Sequence, residues 1–118
     1  MRRLDIGIAS YKNPACLRAT LQNVQHNSVT EWRCFILMSG NQSEENQAAN
    51  LIAREFAGVD NRFVLVDRLP THESYSGAVN TLFKMAETEY IAYLDNDATI
   101  NTPGWDETLC GCLDRFHE

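Results

Sequence analysis

Clustered positive charge is the first thing this sequence lacks. Ten Lys and Arg stand against sixteen Asp and Glu, for a formal net charge of −6, and Arg2–Arg3 is the one adjacent basic pair. That excludes a nucleic-acid partner, because phosphate contacts need a basic face. No basic amphipathic stretch is present to lie on a membrane surface. The apolar runs are too short for a membrane span, and no signal-peptide pattern is visible. Cys-x-x-Cys pairs are missing too: Cys16, Cys34, Cys110 and Cys112 do not combine with His26, His72 or His117 at zinc-ligand spacing. Cys34 lies in an apolar run and Cys16 on a predicted helix, which suits core packing; Cys110 and Cys112 are too close in sequence for an easy mutual disulfide. The expectation is reduced thiols in a cytoplasmic protein. Repeats, low-complexity tracts and internal linkers are also absent. With 118 residues, 44% of them apolar, the chain reads as a single domain over 1–118 with a real core.

What is present alternates strand and helix. Leu4–Ala9 is a short apolar stretch ending at Ser10-Tyr11-Lys12-Asn13-Pro14, where Asn13 suits an N-cap and Pro14 a first helical residue. Leu17, Leu21 and Val24 then recur at helical spacing. Cys34–Met38 reads as a strand covered on both faces, Ser43 as a helix cap, and Ala48, Leu51, Ile52 and Phe56 as that helix's buried stripe, broken by Gly58 and Asn61. Phe63–Val66 predicts a third strand and Asp67–Ser74 a polar loop. Val79, Leu82, Phe83 and Ala86 mark the next helix, Tyr90–Leu94 a fourth strand, and Leu109, Cys112, Leu113 and Phe116 a last helix. This order predicts an α/β fold with a mainly parallel four-stranded sheet and right-handed crossovers.

Ligands of such sheets sit beyond the carboxyl ends of the strands. Three of those ends carry polar residues: Ser10-Tyr11-Lys12, Ser39-Gly40-Asn41 and Asp95-Asn96-Asp97. In an extended segment, carboxylates at i and i+2 point to the same side. Unpaired they repel, so the pair calls for a shifted pKa or a cation, and a hard divalent ion carrying a diphosphate meets that need. Each motif alone is compatible with an ordinary turn. Their coincidence at one sheet edge points to a metal-assisted phosphate or nucleotide site.

At these residues the sequence resembles family 2 glycosyltransferases. Ile6–Lys12 resembles the family's opening strand, which usually ends in Pro-Thr-Tyr-Asn, and Ile36–Asn41 its second strand and Asp-Asp-Gly-Ser turn. Gly77–Asn80 and Ala86–Asp97 resemble its Ala-Arg-Asn helix, Gly-Glu-Tyr-Ile strand and Asp-x-Asp motif, followed by a matching Pro103-Gly104-Trp105. The resemblance implies a three-layer, Rossmann-like GT-A domain binding a nucleotide-diphosphate sugar (UDP- or another) with Mg2+ or Mn2+. It implies Ser10 and Tyr11 against the base, Ser39 in place of a base-contacting aspartate, Asn80 facing the diphosphate, Asp95 near the ribose and metal, and Asp97 as main metal ligand. Ala9, Lys12, Ser39 and Val79 depart from the family pattern, and Ser39 weakens a preference for uridine.

Family members continue well beyond this length, and their later half supplies the acceptor surface and usually the catalytic base. The resemblance therefore implies a truncated domain without its acceptor half, with catalytic residues unassigned. Glu107, Asp114 and Glu118 read as solvated charges, and His72–Glu73 as loop residues near the site. Two functions compete: hexosyl transfer to an acceptor hydroxyl, and a non-catalytic nucleotide-sugar-binding or interaction module. A sugar-phosphate nucleotidyltransferase would need a glycine-rich basic first loop, and a receiver domain acidic residues after the first strand; neither is present. With Tyr90–Leu94 expected at a sheet edge, a homodimer through that edge is also expected.

Overall fold

The computed structural model describes residues 4–38, 43–67, 75–98 and 100–116. Four strands and four helices alternate: β1 (Leu4–Ser10), α1 (Pro14–Asn27), β2 (Trp32–Met38), α2 (Glu44–Val59), β3 (Phe63–Asp67), α3 (Tyr75–Met85), β4 (Tyr90–Leu94) and α4 (Trp105–Phe116). The strands form one parallel sheet in the order β3-β2-β1-β4. This is the expected α/β, Rossmann-like arrangement, with β1 central and β4 at an edge of the described sheet.

Alternation along the strands divides the core. Ile6, Ile8, Cys34, Ile36 and Met38 pack with Leu17, Leu21 and Val24 of α1, Ala49, Ala53 and Phe56 of α2, and Cys110 of α4. Phe35 and Leu37 face the other way, toward Ala78 and Leu82 of α3. The sheet thus lies between α3 on one side and α1, α2 and α4 on the other, giving three layers. The approach of α3 depends on Gly7: a Cβ there would stand 2.6 Å from Leu82 Cδ2.

Several local expectations are corrected. Asn13 occupies the N-cap position, but its backbone is left-handed (φ 46°, ψ 61°) and its side chain caps nothing; Pro14 does begin α1. Ser43 caps α2 as expected, accepting from the Asn46 N–H. The buried face of α2 is Asn46, Ala49, Asn50, Ala53 and Phe56, and Leu51 is exposed. Two asparagines are buried there because each accepts a hydrogen bond, Asn50 from the Ser10 hydroxyl at the end of β1 and Asn46 from the Lys12 N–H just beyond it. Gly58 lies inside α2, which runs to Val59. On α4 the inward residues are Asp106 and Cys110, with Trp105 and Leu113 half-buried, while Phe116 is exposed. Cys16 is exposed rather than packed, Cys34 is in the core, and all four cysteines are free.

Candidate functional site

All strands are parallel, so their carboxyl ends share one edge, and β1 and β4 are neighbours there. Ile8 is level with Leu94, so Asp95-Asn96-Asp97 emerges beside Ala9-Ser10-Tyr11. The structure thereby brings together two of the three polar strand ends. Ser39, Gly40 and Asn41 lie outside the described residues, as do His72, Glu73 and Glu118.

Asp95-Asn96-Asp97 is a turn rather than an extended segment, closed by the Ala98 N–H donating to the Asp95 carbonyl at 3.0 Å. Alternation along a strand therefore does not set the direction of the two carboxylates. Both aspartates are exposed, and Asn96 between them is half-buried. The Asn96 side-chain amide donates to the Tyr11 carbonyl at 2.7 Å and lies 3.3 Å from that of Lys12. One short side chain thus ties the end of β4 to the end of β1.

The segment it holds is unusual. Lys12 and Asn13 both have positive φ, 56° and 46°. A non-glycine residue pays for this conformation, although asparagine tolerates it better than most. A tertiary bond and a helical one hold it in place: Lys12 N–H donates to Asn46 Oδ1 at 2.8 Å, and Asn13 C=O accepts the first intrahelical bond from Leu17 at 3.0 Å. Ser10 is fully buried, and its hydroxyl donates to Asn50 Oδ1 at 2.9 Å. Its side chain is thus turned toward α2. Tyr11 is half-buried, and the Lys12 ammonium stands 5.2 Å from its ring centroid.

From α1, the buried Thr20 hydroxyl reaches the same turn. It lies 2.9 Å from the Asn96 carbonyl, 3.0 Å from that of Ala98 and 3.0 Å from that of Cys16 in its own helix. One proton is shared among three acceptors. Further along, Asn27 Nδ2 donates to the Ile100 carbonyl and the Gly104 N–H to the Asn27 carbonyl. Asp106, fully buried in the first turn of α4, accepts from Val29 N–H, Thr30 N–H and the Thr30 hydroxyl. Burial works against its charge, but the Thr30 hydroxyl and the backbone donors outweigh burial and hold its carboxyl below the usual range. The connection from Asp97 to α4 is therefore fastened to α1 at several points.

Asn80 is exposed on α3, on the opposite side of the sheet from α1. Asp114, expected to be solvated, instead accepts from the Tyr90 hydroxyl at 2.5 Å, and this bond pushes the phenol above its ordinary pKa. Glu107 is exposed, as expected. A groove of about 410 Å³, lined by Thr30, Glu31, Trp32, Arg33, Asn61 and Arg62, opens at the amino ends of the strands. Its cations are already used: Arg62 pairs with Asp60 at 2.8 Å and stacks on Trp32, and Arg33 lies 3.6 Å from Asp5 and 3.5 Å from Glu87.

Asp95 and Asp97 supply hard oxygen donors, the right chemistry for Mg2+ or Mn2+. No cluster of three or more His, Cys, Asp or Glu that could hold a metal occurs among the described residues. Two carboxylates fit an ion that takes its remaining ligands from water and a substrate diphosphate, which is how Mg2+ is commonly bound, and not a caged structural metal.

The pattern of motifs left Thr20, Asn46, Asn50 and Asn96 unassigned. Their signal was weak: Asn46 and Asn50 stand one helical turn apart, and Asn96 interrupts two aspartates. The family model for glycosyl transferase family 2 matches residues 5–115. No curated protein matches the sequence. Among solved structures, the fold is similar to that of a mannosyltransferase from Pyrobaculum calidifontis in complex with GDP-Man and Mn2+, with a TM-score of 0.66 and 17% identity. That similarity covers 83% of this chain and 28% of the mannosyltransferase. The chain belongs to glycosyl transferase family 2.

Proposed function

From that membership, we propose that this chain is the nucleotide-sugar-binding portion of a glycosyltransferase, holding a nucleotide-diphosphate sugar through a divalent metal on Asp95 and Asp97. The observation that carries the reading is the placement of Asp95-Asn96-Asp97 at the carboxyl end of β4, beside the Ser10–Lys12 end of the central strand. Mn2+ and GDP-Man in a protein of similar fold support it. Asp97 is the main metal ligand and Asp95 lies near the ribose and metal. Tyr11 offers a ring to the base, and Asn80 and Ser39 belong to the same reading. Ser10 acts at one remove, its hydroxyl being bonded to Asn50. When bound, the metal would offset charge developing on the departing nucleoside diphosphate. The residues of this chain bind and orient; the hydroxyl acceptor and its base are unassigned.

Calorimetric titration of nucleoside diphosphates tests this reading, with and without Mn2+ and with Asp97→Asn. Binding should require the metal and weaken in the variant. Affinity indifferent to EDTA and to Asp97→Asn would refute the metal assignment.

A second reading is a module that binds nucleotide sugar without turnover. Under it, the 118-residue chain binds nucleotide sugar but releases nucleotide slowly or not at all, which chromatography after incubation with a donor panel measures. No helix among the described residues is long and apolar enough to cross a membrane. A cytoplasmic setting fits the four free thiols.

A further inference from the structure

Resting on that nucleotide–metal reading, we propose that Asn96 and Thr20 are positioning residues that set the Asp95–Asp97 turn against the nucleotide-side loop. Neither needs to touch the ligand. The turn has a single internal backbone bond, from Ala98 N–H to the Asp95 carbonyl, and the carboxylates on either side of Asn96 are exposed. A four-residue turn with two solvated carboxylates has little of its own to fix where they sit. Two side chains supply what it lacks. Asn96 reaches across to the Tyr11 carbonyl, and the buried Thr20 hydroxyl reaches up from α1 to the Asn96 and Ala98 carbonyls.

The geometry makes the two braces one device. Asn96 uses its side-chain amide on the β1 end while its own carbonyl faces Thr20, so this one residue is gripped on both sides. The Tyr11–Asn13 segment that receives the amide is itself fixed by Asn46 and carries two consecutive positive-φ residues. A strained loop held rigidly in this way is a fixed reference for the turn, not a partner that would follow it. Placement matters because a metal shared between two carboxylates and a diphosphate tolerates little error in ligand position, above all when the ion demands near-octahedral geometry. Residues behind metal ligands commonly decide affinity for this reason.

The test uses the 118-residue chain, titrated with Mn2+ and a nucleoside diphosphate, as wild type and as Asn96→Ala, Asn96→Leu, Thr20→Val and Thr20→Ser. The variants lacking the bonding group should each lose about tenfold in affinity for the metal–nucleotide pair, while Thr20→Ser, which keeps the hydroxyl, stays within about twofold of wild type. Amide exchange is read in parallel without ligand. The Ala98 amide should exchange faster in both Asn96 variants and in Thr20→Val, whereas the Cys34 amide in the core should not change. Should Asn96→Ala fail to fold, Asn96→Leu carries the same arm, since it keeps the volume and lacks the donor. Wild-type binding with unchanged affinity in all the variants overturns the positioning role and leaves the nucleotide reading intact. A wild-type chain that binds no metal–nucleotide pair overturns both.

Discussion

Replacing Asp106 by alanine should destabilise this domain markedly. The side chain is fully buried and accepts from three donors: Val29 N–H at 3.0 Å, Thr30 N–H at 2.8 Å and the Thr30 hydroxyl at 2.6 Å. Hydrogen bonds to a charged group contribute about 1.5–3 kcal/mol each, and a buried donor left unpaired costs about 1–3 kcal/mol. The three share one acceptor, so their values do not add, and water can enter the vacated space. A net loss of about 3 kcal/mol follows, against a typical domain stability of about 5–15 kcal/mol. At this chain length that lowers Tm by about 10 °C. Urea unfolding followed by circular dichroism measures the difference directly. The pH dependence carries a second check. The folded carboxyl lies below its unfolded value, so its contribution is complete above an unfolded pKa of about 3.9 and fades as pH falls through the folded value. The gap between wild type and Asp106→Ala should therefore be full at pH 7 and shrink below about pH 4. A loss under about 1 kcal/mol at pH 7, or a gap that does not narrow in acid, would refute this account.

Three further outcomes are expected. Gly7→Ala should cost about 1–3 kcal/mol in a chemical denaturation series, because the new methyl meets Leu82 at 2.6 Å, and trimming Leu82 to alanine in the same chain should recover part of the packing strain. In a thiol-reagent assay on folded protein, Cys16 and Cys112 should react promptly; Cys34, whose thiol burial pushes up, and Cys110 should react only on unfolding, and four fast thiols would contradict the packing. β4 pairs only with β1 among the described residues and has neither proline nor charge along Tyr90–Leu94, so we propose a two-fold dimer through this edge; a strictly monomeric mass by light scattering at high concentration would refute it.

The order of elements was legible because it is written in apolar runs. Tyr90–Leu94 is the observed β4 to the residue, and Leu17, Leu21 and Val24 are buried on α1 as their spacing implied. Family membership and the GT-A-like fold were legible for a different reason: the motifs occur in the right order along the whole chain. Helix phase was less legible. Apolar spacing put Leu51 inside α2 and Phe116 inside α4, yet both are exposed. Hydrophobic periodicity assumes that burial follows apolarity, and here Asn46, Asn50 and Asp106 are buried because each meets donors or acceptors from a distant element. Those partners lie some 34 to 77 residues away, where no local pattern can register them.

The same principle explains why the Asp-x-Asp motif was found while its geometry was missed. Reading it as extended backbone gave two parallel carboxylates; the chain instead turns at Asp95 and closes on Ala98. The residue between the aspartates donates its amide to the Tyr11 carbonyl and offers its own carbonyl to the Thr20 hydroxyl. Asp and Asn favour turns locally, and the tertiary hydrogen bonds of Asn96 fix this one against the end of β1, beyond the β1–β4 backbone ladder. On the proposed reading the motif supplies the metal-binding oxygens, and Asn96 and Thr20 set where they stand.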